Sequence, residues 1–255
     1  VSSTGHLLVT ERILDIGQDD ASKDATNGYT VAIQAGAILA VLVLYRRRLE
    51  LLVAGIAGRS PTGRTLLIAL AAAFVPAAVI GKALEDPIKS RLLGPWPVVA
   101  AWLVGGVVIL VFSANRGRFT ATVESVEAIT ARQGAVIGFA QALALWPGVS
   151  RSLVTILGGL AVGLTMAAAV EFSFLLGLLT LSAATAYELL TSGGDIVDTF
   201  GVATPLLGAV VAAIAAFASV RWMVNWLNRR DLRVFGWYRI GVATVTAALL
   251  ASGVI

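Results

Sequence analysis

The chain is 255 residues long, 58% hydrophobic and only 13% charged, with a formal net charge of +4 and a mean hydropathy of +0.87. A soluble globular domain carries roughly 25% charge, so this composition excludes that class and points to a polytopic all-α membrane protein. The basic residues lie between apolar runs rather than on one soluble face, which reads as topology information and argues against nucleic acid as a partner. The lack of Cys excludes disulfide and thiolate chemistry, and a single His argues against a multi-His or zinc site.

The chain opens on Val1-Ser2-Ser3-Thr4-Gly5-His6 with no initiator Met, as if inside a motif, so a preceding N-terminal segment is expected. Residues 7–28 are polar and acidic, with Glu11, Asp15, Asp19, Asp20 and Asp24 against Arg12 and Lys23. A first span is expected over 29–45, stopped by Arg46-Arg47-Arg48, and the loop from there to Arg64 reads as cytoplasmic. Second and third spans are expected over 65–84 and 96–112, joined by a mixed, external loop with Lys82, Glu85, Asp86, Lys89 and Arg91. Next comes a loop with Arg116, Arg118 and Arg132 beside Glu124 and Glu127. The segment 191–201 carries only Asp195 and Asp198 and reads as an external loop. The segment 227–235, with Arg229, Arg230 and Arg233, reads as cytoplasmic. The last three spans are then 168–190, opened by Glu171 at an interface, 202–227, with Trp222 and Trp226 as interfacial anchors, and 235–255.

Residues 134–165 do not fit as a crossing. They start on the cytoplasmic side, and so does the span that follows, so the chain must return to that side. Pro147-Gly148 also splits the stretch into two pieces too short to cross. A re-entrant helical hairpin is expected, which is tolerated only where protein or a water-filled cavity covers its backbone. Val1-Ser2-Ser3-Thr4 resembles Val149-Ser150-Arg151-Ser152, and each is followed by three spans. An odd number of spans inverts the second copy. The expectation is therefore one membrane domain over 1–255 with about six spans and re-entrant hairpins in an inverted-topology repeat. Its halves would be 1–112, incomplete at its start, and 134–255.

Arg151 carries the clearest chemical signal. An Arg at the centre of an apolar segment costs about 3 kcal/mol on insertion scales, so it is expected to face a cavity. A helix beginning after Gly148 would present free amides and a positive dipole end to an anion. The Arg151 fork suits phosphate oxygens, and Thr155, one turn on, shares its face, beside Ser150 and Ser152. His6 lies three residues from Ser3 and titrates near neutrality when unperturbed. Gln141, in the first hairpin arm, is placed to orient a polar group.

These residues resemble the undecaprenyl-diphosphate phosphatases linked to bacitracin resistance. The matching pieces are collinear over nearly the whole chain: Val1–His6, 33–41, Pro76–Gly81, Gln141–Ser152 with Thr155, and 171–176. The resemblance implies removal of the terminal phosphate from a C55 isoprenyl diphosphate, giving the carrier lipid for peptidoglycan precursors. It implies a bacterial inner-membrane enzyme whose site faces outward, contacts with membrane lipids, and a divalent cation, Mg²⁺ or Ca²⁺. A homodimer is also admitted. Arg151 would clamp the diphosphate, helped by Ser2, Thr4, Ser150, Ser152 and Thr155, while His6 and Ser3 supply the nucleophile or proton-transfer pair. Two departures stand out. The family's Glu-rich motif, the expected source of the metal ligands, belongs ahead of Val1, and Leu153 stands where the family usually has Gly. A membrane transporter or flippase of an anionic lipid is the alternative, because it too would need Arg151 and broken helices.

Overall fold

The computed structural model describes residues 1–17, 20–227 and 230–254. Asp19 and Arg229, counted above as topology charges, lie outside the described residues, as do the side chains of Asp20, Lys23, Asp24, Lys89 and Arg118. Among the described residues the fold is all α, with no strand beyond one isolated bridge between Val123 and Leu164. In chain order the helices are α1 Ser3–Ile13, α2 Asp20–Ala32, α3 Gln34–Leu44, α4 Arg46–Ile56, α5 Pro61–Ala83 and α6 Glu85–Arg91. They continue with α7 Pro95–Ala114, α8 Ala131–Ala142, α9 Arg151–Ala161, α10 Met166–Phe200, α11 Ala203–Leu227 and α12 Arg233–Ala251.

Helices α5, α7, α10, α11 and α12 are long and apolar enough to cross a membrane. Gly28–Leu44 and α4 meet the same test only together, as a pair bent by 85°, which brings the candidate spans to at most six among the described residues. That turn falls at Tyr45, where the apolar run meets Arg46-Arg47-Arg48. Arg48 reaches back to fix it: its Nε lies 2.5 Å from Glu171 Oε1 at the start of α10, and its Nη1 pairs with Glu127. The arginine run thus ends the apolar segment and also joins α4 to two other elements.

One expectation needs correction. The acidic segment 191–201 is not a loop, because α10 continues unbroken through Asp195 and Asp198 to Phe200. No Pro interrupts it, and the helix ends only where Gly201 takes a left-handed φ of 67°. Much of the polar segment 7–28 is helical, as α1 and α2.

The hairpin is present as helix, break and helix. Helix α8 has 12 residues and α9 has 11; at 1.5 Å per residue each reaches about 17 Å, little more than half a hydrocarbon core. Helix α8 lies tightly against α5, where a Cβ on Gly134 or Gly138 would run into the α5 backbone at Ala69 or Ala73. Small residues of this kind let apolar helices touch backbone to backbone where no hydrophobic effect drives them together. A core containing Leu66, Leu70, Ile137, Ile156, Phe172 and Leu176 then seats the hairpin between α5 and α10.

Candidate active site

The break in the hairpin builds the site. Trp146 anchors its start by donating from Nε1 to the Pro97 carbonyl, 3.1 Å away. Gly148 has φ 97°, and a Cβ there would meet Ala101 Cβ at 2.9 Å, so the turn needs Gly for both its conformation and its packing on α7. Ser150 also has a positive φ, 75°, which is costly for a residue with a Cβ. That conformation lets Ser150 cap α9, its Oγ accepting from Leu153 N at 3.4 Å. The cap leaves Arg151 and Ser152 as the first residues of α9, and Ser152 Oγ lies 3.3 Å from Ser150 Oγ.

The chain's opening also begins a helix on a Ser cap, here with ordinary extended backbone. Ser2 caps α1, its Oγ accepting from Gly5 N at 3.3 Å, and Ser3 and Thr4 occupy the first turn. The two Ser-capped starts face one cavity of about 840 Å³, lined by Ser2, Ser3 and Thr4 on one side and Ser150, Arg151 and Ser152 on the other. Helix α10 closes it with Ser173 and Thr180, and Gln34 and Gln141 add two carboxamides. The remaining wall is mostly apolar, including Ile38, Val41, Phe74, Phe174, Leu178 and Leu181. Lys82 and Glu85, paired at 2.8 Å, also line it, with Lys82 6.0 Å from the centre of the Tyr187 ring.

Arg151 is held from α10, where its Nη1 donates to Thr180 Oγ1. Thr180 spends its own proton on the helix carbonyls of Leu176 and Gly177, at 3.0 and 3.1 Å, so its lone pairs are free to accept. Among the described residues no carboxylate pairs with Arg151. A guanidinium in an apolar-walled cavity without a counter-ion is suited to an anionic ligand.

Two expected site residues lie elsewhere. Thr155 does not line the cavity: it is buried, donates to the Arg151 carbonyl at 2.9 Å, and sits 2.6 Å from Ser173 Oγ, tying α9 to α10. His6 does not line it either. Its Nδ1 is 2.6 Å from the Ser2 carbonyl, which can only accept, so Nδ1 carries the proton. Nε2 lies 2.9 Å from the Tyr238 hydroxyl, and the ring stacks on Tyr238 and tilts against Trp102. Its second ring nitrogen is therefore occupied on the α7–α12 side.

The cavity's donor set does not fit a divalent cation. Among the described residues Glu85 is the one carboxylate lining it, and no three acidic or His side chains gather as metal ligands. Hydroxyls, carboxamides and Arg151 suit an anion instead.

Sequence reasoning missed Arg239. It is 1% exposed and donates to four backbone carbonyls: Ala101 and Gly148 at 2.8 Å, Val149 at 3.1 Å and Trp102 at 3.4 Å. It thus bolts the hairpin break to α7. The signal was available, since Arg239 interrupts an apolar run as Arg151 does.

Residues 1–245 match the family model described as bacitracin resistance protein BacA. The chain belongs to this family. It is 42% identical to an undecaprenyl-diphosphatase of Sorangium cellulosum over 247 residues, covering 96% of this chain and 79% of that protein. It is 41% identical to undecaprenyl-diphosphatase 2 of Rhodospirillum rubrum, covering 100% of this chain and 90% of that one. It is 40% identical to undecaprenyl-diphosphatase 1 of Paraburkholderia xenovorans, at 99% and 90%. The family match spans both Ser-capped starts and the whole hairpin, so the cavity is built from family sequence throughout.

Proposed function

We propose that this protein removes the terminal phosphate of undecaprenyl diphosphate, leaving the monophosphate carrier used for peptidoglycan synthesis, and thereby contributes to bacitracin resistance. The observation that carries the reading is the one cavity in which Arg151 and the hydroxyls of two Ser-capped helix starts form a polar end beside apolar walls. An isoprenyl diphosphate has the same division, with a charged head and a greasy tail.

In this reading Arg151, held by Thr180, takes the phosphate oxygens, while Ser150, Ser152, Ser2 and Thr4 donate to the rest. Phosphoryl transfer depends mostly on positioning and charge neutralisation, which these groups can supply. Ser3 lines the cavity and His6 does not, so Ser3 is the nucleophile. Its oxygen bonds to the terminal phosphorus as the bond to the bridging oxygen breaks, and the lipid monophosphate leaves with the Ser3 proton. Water then attacks the phosphoserine, and Ser3 recovers a proton as inorganic phosphate leaves. His6 is a positioning residue, fixing the Ser2 carbonyl at the turn that carries Ser3. A divalent cation, Mg²⁺ or Ca²⁺, would enter only as the diphosphate's own counter-ion, since the described cavity lining offers it no carboxylate but Glu85, and no step is assigned to it.

The cavity is proposed to open outward across the bacterial inner membrane. Lys82 and Glu85 line it at the end of α5 opposite the Arg46–Arg48 and Arg59 side, which the positive-inside rule places in the cytoplasm. The matched capping of α1 and α9 supports reading the two halves as an inverted repeat. Expression in cells depleted of their own undecaprenyl-diphosphatase tests the function. Growth and bacitracin tolerance should return with the wild type and stay lost with Arg151→Ala; failure of a membrane-inserted wild type to restore either would reject it.

A further inference from the structure

Gln141 is a polar residue of the cavity that the proposed chemistry leaves unused. It sits at the end of α8, is 4% exposed, and lines the cavity with Ser150, Arg151 and Ser152. Its Oε1 is buried and has no hydrogen-bond partner, and among the described residues its carboxamide makes no hydrogen bond at either end. Leaving such a group unsatisfied costs about 1–3 kcal/mol, so its partner is expected to arrive with the ligand. The cavity's other carboxamide, Gln34, does not share this state, because its Nε2 donates to the Thr30 carbonyl at 3.2 Å.

A carboxamide has one end that only donates and one that only accepts, whichever way round it is set. The donor end is satisfied by a phosphate oxygen. The acceptor end is not, because an ionised diphosphate carries no hydrogen to give. Arg151 does not fill this place in the structure: its Nη1 donates to Thr180, and no bond from it reaches Gln141 Oε1. The acceptor end therefore calls for a further molecule that carries hydrogen and can sit beside the phosphate.

We propose that Gln141 holds a water molecule against the terminal phosphorus, one end of its carboxamide accepting from the water and the other donating to a phosphate oxygen. This rests on the phosphatase reading above and deepens it. The water is the one that resolves the phosphoserine: its oxygen bonds to phosphorus, the phosphorus–Ser3 bond breaks, and a water proton goes to the Ser3 oxygen. Gln141 takes no proton and forms no covalent bond. It is a positioning residue that raises the effective concentration of one nucleophile in one orientation.

Partitioning between water and methanol tests this directly. Purified protein is given undecaprenyl diphosphate in detergent with added methanol, and the ratio of methyl phosphate to inorganic phosphate is measured. Total lipid monophosphate released by the wild type checks the phosphatase reading separately, so failure of that reading and failure of this one are distinguishable. Gln141→Met keeps the bulk and removes both polar ends. It should raise the methyl phosphate ratio about fivefold or more as water loses its advantage, whatever happens to the overall rate. Gln141→Asn withdraws the same group by one methylene and should raise the ratio less, which keeps the test usable should the Met variant fold poorly. An unchanged ratio in a folded variant overturns the proposal. So does a changed Mg²⁺ requirement with an unchanged ratio, which would assign the acceptor end to the cation.

Discussion

Replacing Arg239 by Met tests whether the hairpin break is held from outside the cavity. Arg239 donates to four carbonyls, but those of Ala101 and Trp102 lie within α7 and keep their helical partners. Those of Gly148 and Val149 lie in the break and lose the bonds that Arg239 makes at 2.8 and 3.1 Å. Two stranded carbonyls cost about 2–6 kcal/mol. Against this, Met removes a buried guanidinium whose desolvation penalty is itself several kcal/mol. The two effects have similar size and opposite sign, so global stability should move by less than about 3 kcal/mol. Position should suffer more. Gly148 and Val149 immediately precede Ser150 and Arg151, and misplacement by about 1 Å can lower catalysis about 100-fold. The expected result for Arg239→Met is a monodisperse protein with a modest shift in detergent melting temperature and about a 100-fold lower kcat. Arg239→Lys should recover little, because a point charge cannot span carbonyls on two elements. Full activity per folded molecule in Arg239→Met, or collapse of folding with no loss of specific activity, would refute this reasoning.

Thr180→Val removes the acceptor that holds Arg151 and should lower kcat/KM about tenfold, or about 1.4 kcal/mol, whereas Thr180→Ser should stay within threefold. Ser3→Ala should abolish turnover, while His6→Phe, which keeps the ring packing on Trp102 and Tyr238, should lose about 10–100-fold; steady-state phosphate release separates the two, and the reverse order would return the nucleophile to His6. Glu127 lies outside the spanning helices. Burial pushes its carboxyl up, but hydrogen bonds from its own backbone and Ser125, with the Arg48 charge, outweigh that and hold it below its ordinary range. A lowered folded value means that its contribution to stability is present above about pH 4.3 and is lost as pH falls through the folded value. Melting curves of the wild type and Glu127→Gln should therefore differ at pH 7 and converge only in that acidic range.

The spans were legible because hydropathy over 20 residues is a strong signal, and the hairpin because Pro147-Gly148 splits a segment that topology forbids from crossing. Asp195 and Asp198 misled because charge was taken to mean a loop, whereas a helix with no Pro extends beyond the apolar part, here even through Gly193-Gly194. Arg151, Ser150 and Ser152 could be placed because they begin a helix after a visible break. The aim of His6 could not, because it depends on the rotation of α1 against Trp102 and Tyr238, more than 90 residues away in sequence. Arg239 was missed although the cost of a buried Arg was already the reason for choosing Arg151. Gln141 could be seen as polar, but its lack of a partner is a property of packing alone.

The most direct measurement is phosphate release from undecaprenyl diphosphate by the purified protein in detergent, wild type beside Arg151→Ala. The expected result is release by the wild type that Arg151→Ala loses almost completely while remaining folded. Equal release by both would contradict the assignment of the cavity. No release from a folded wild type that still binds the lipid would contradict the phosphatase itself and favour a carrier of anionic lipid.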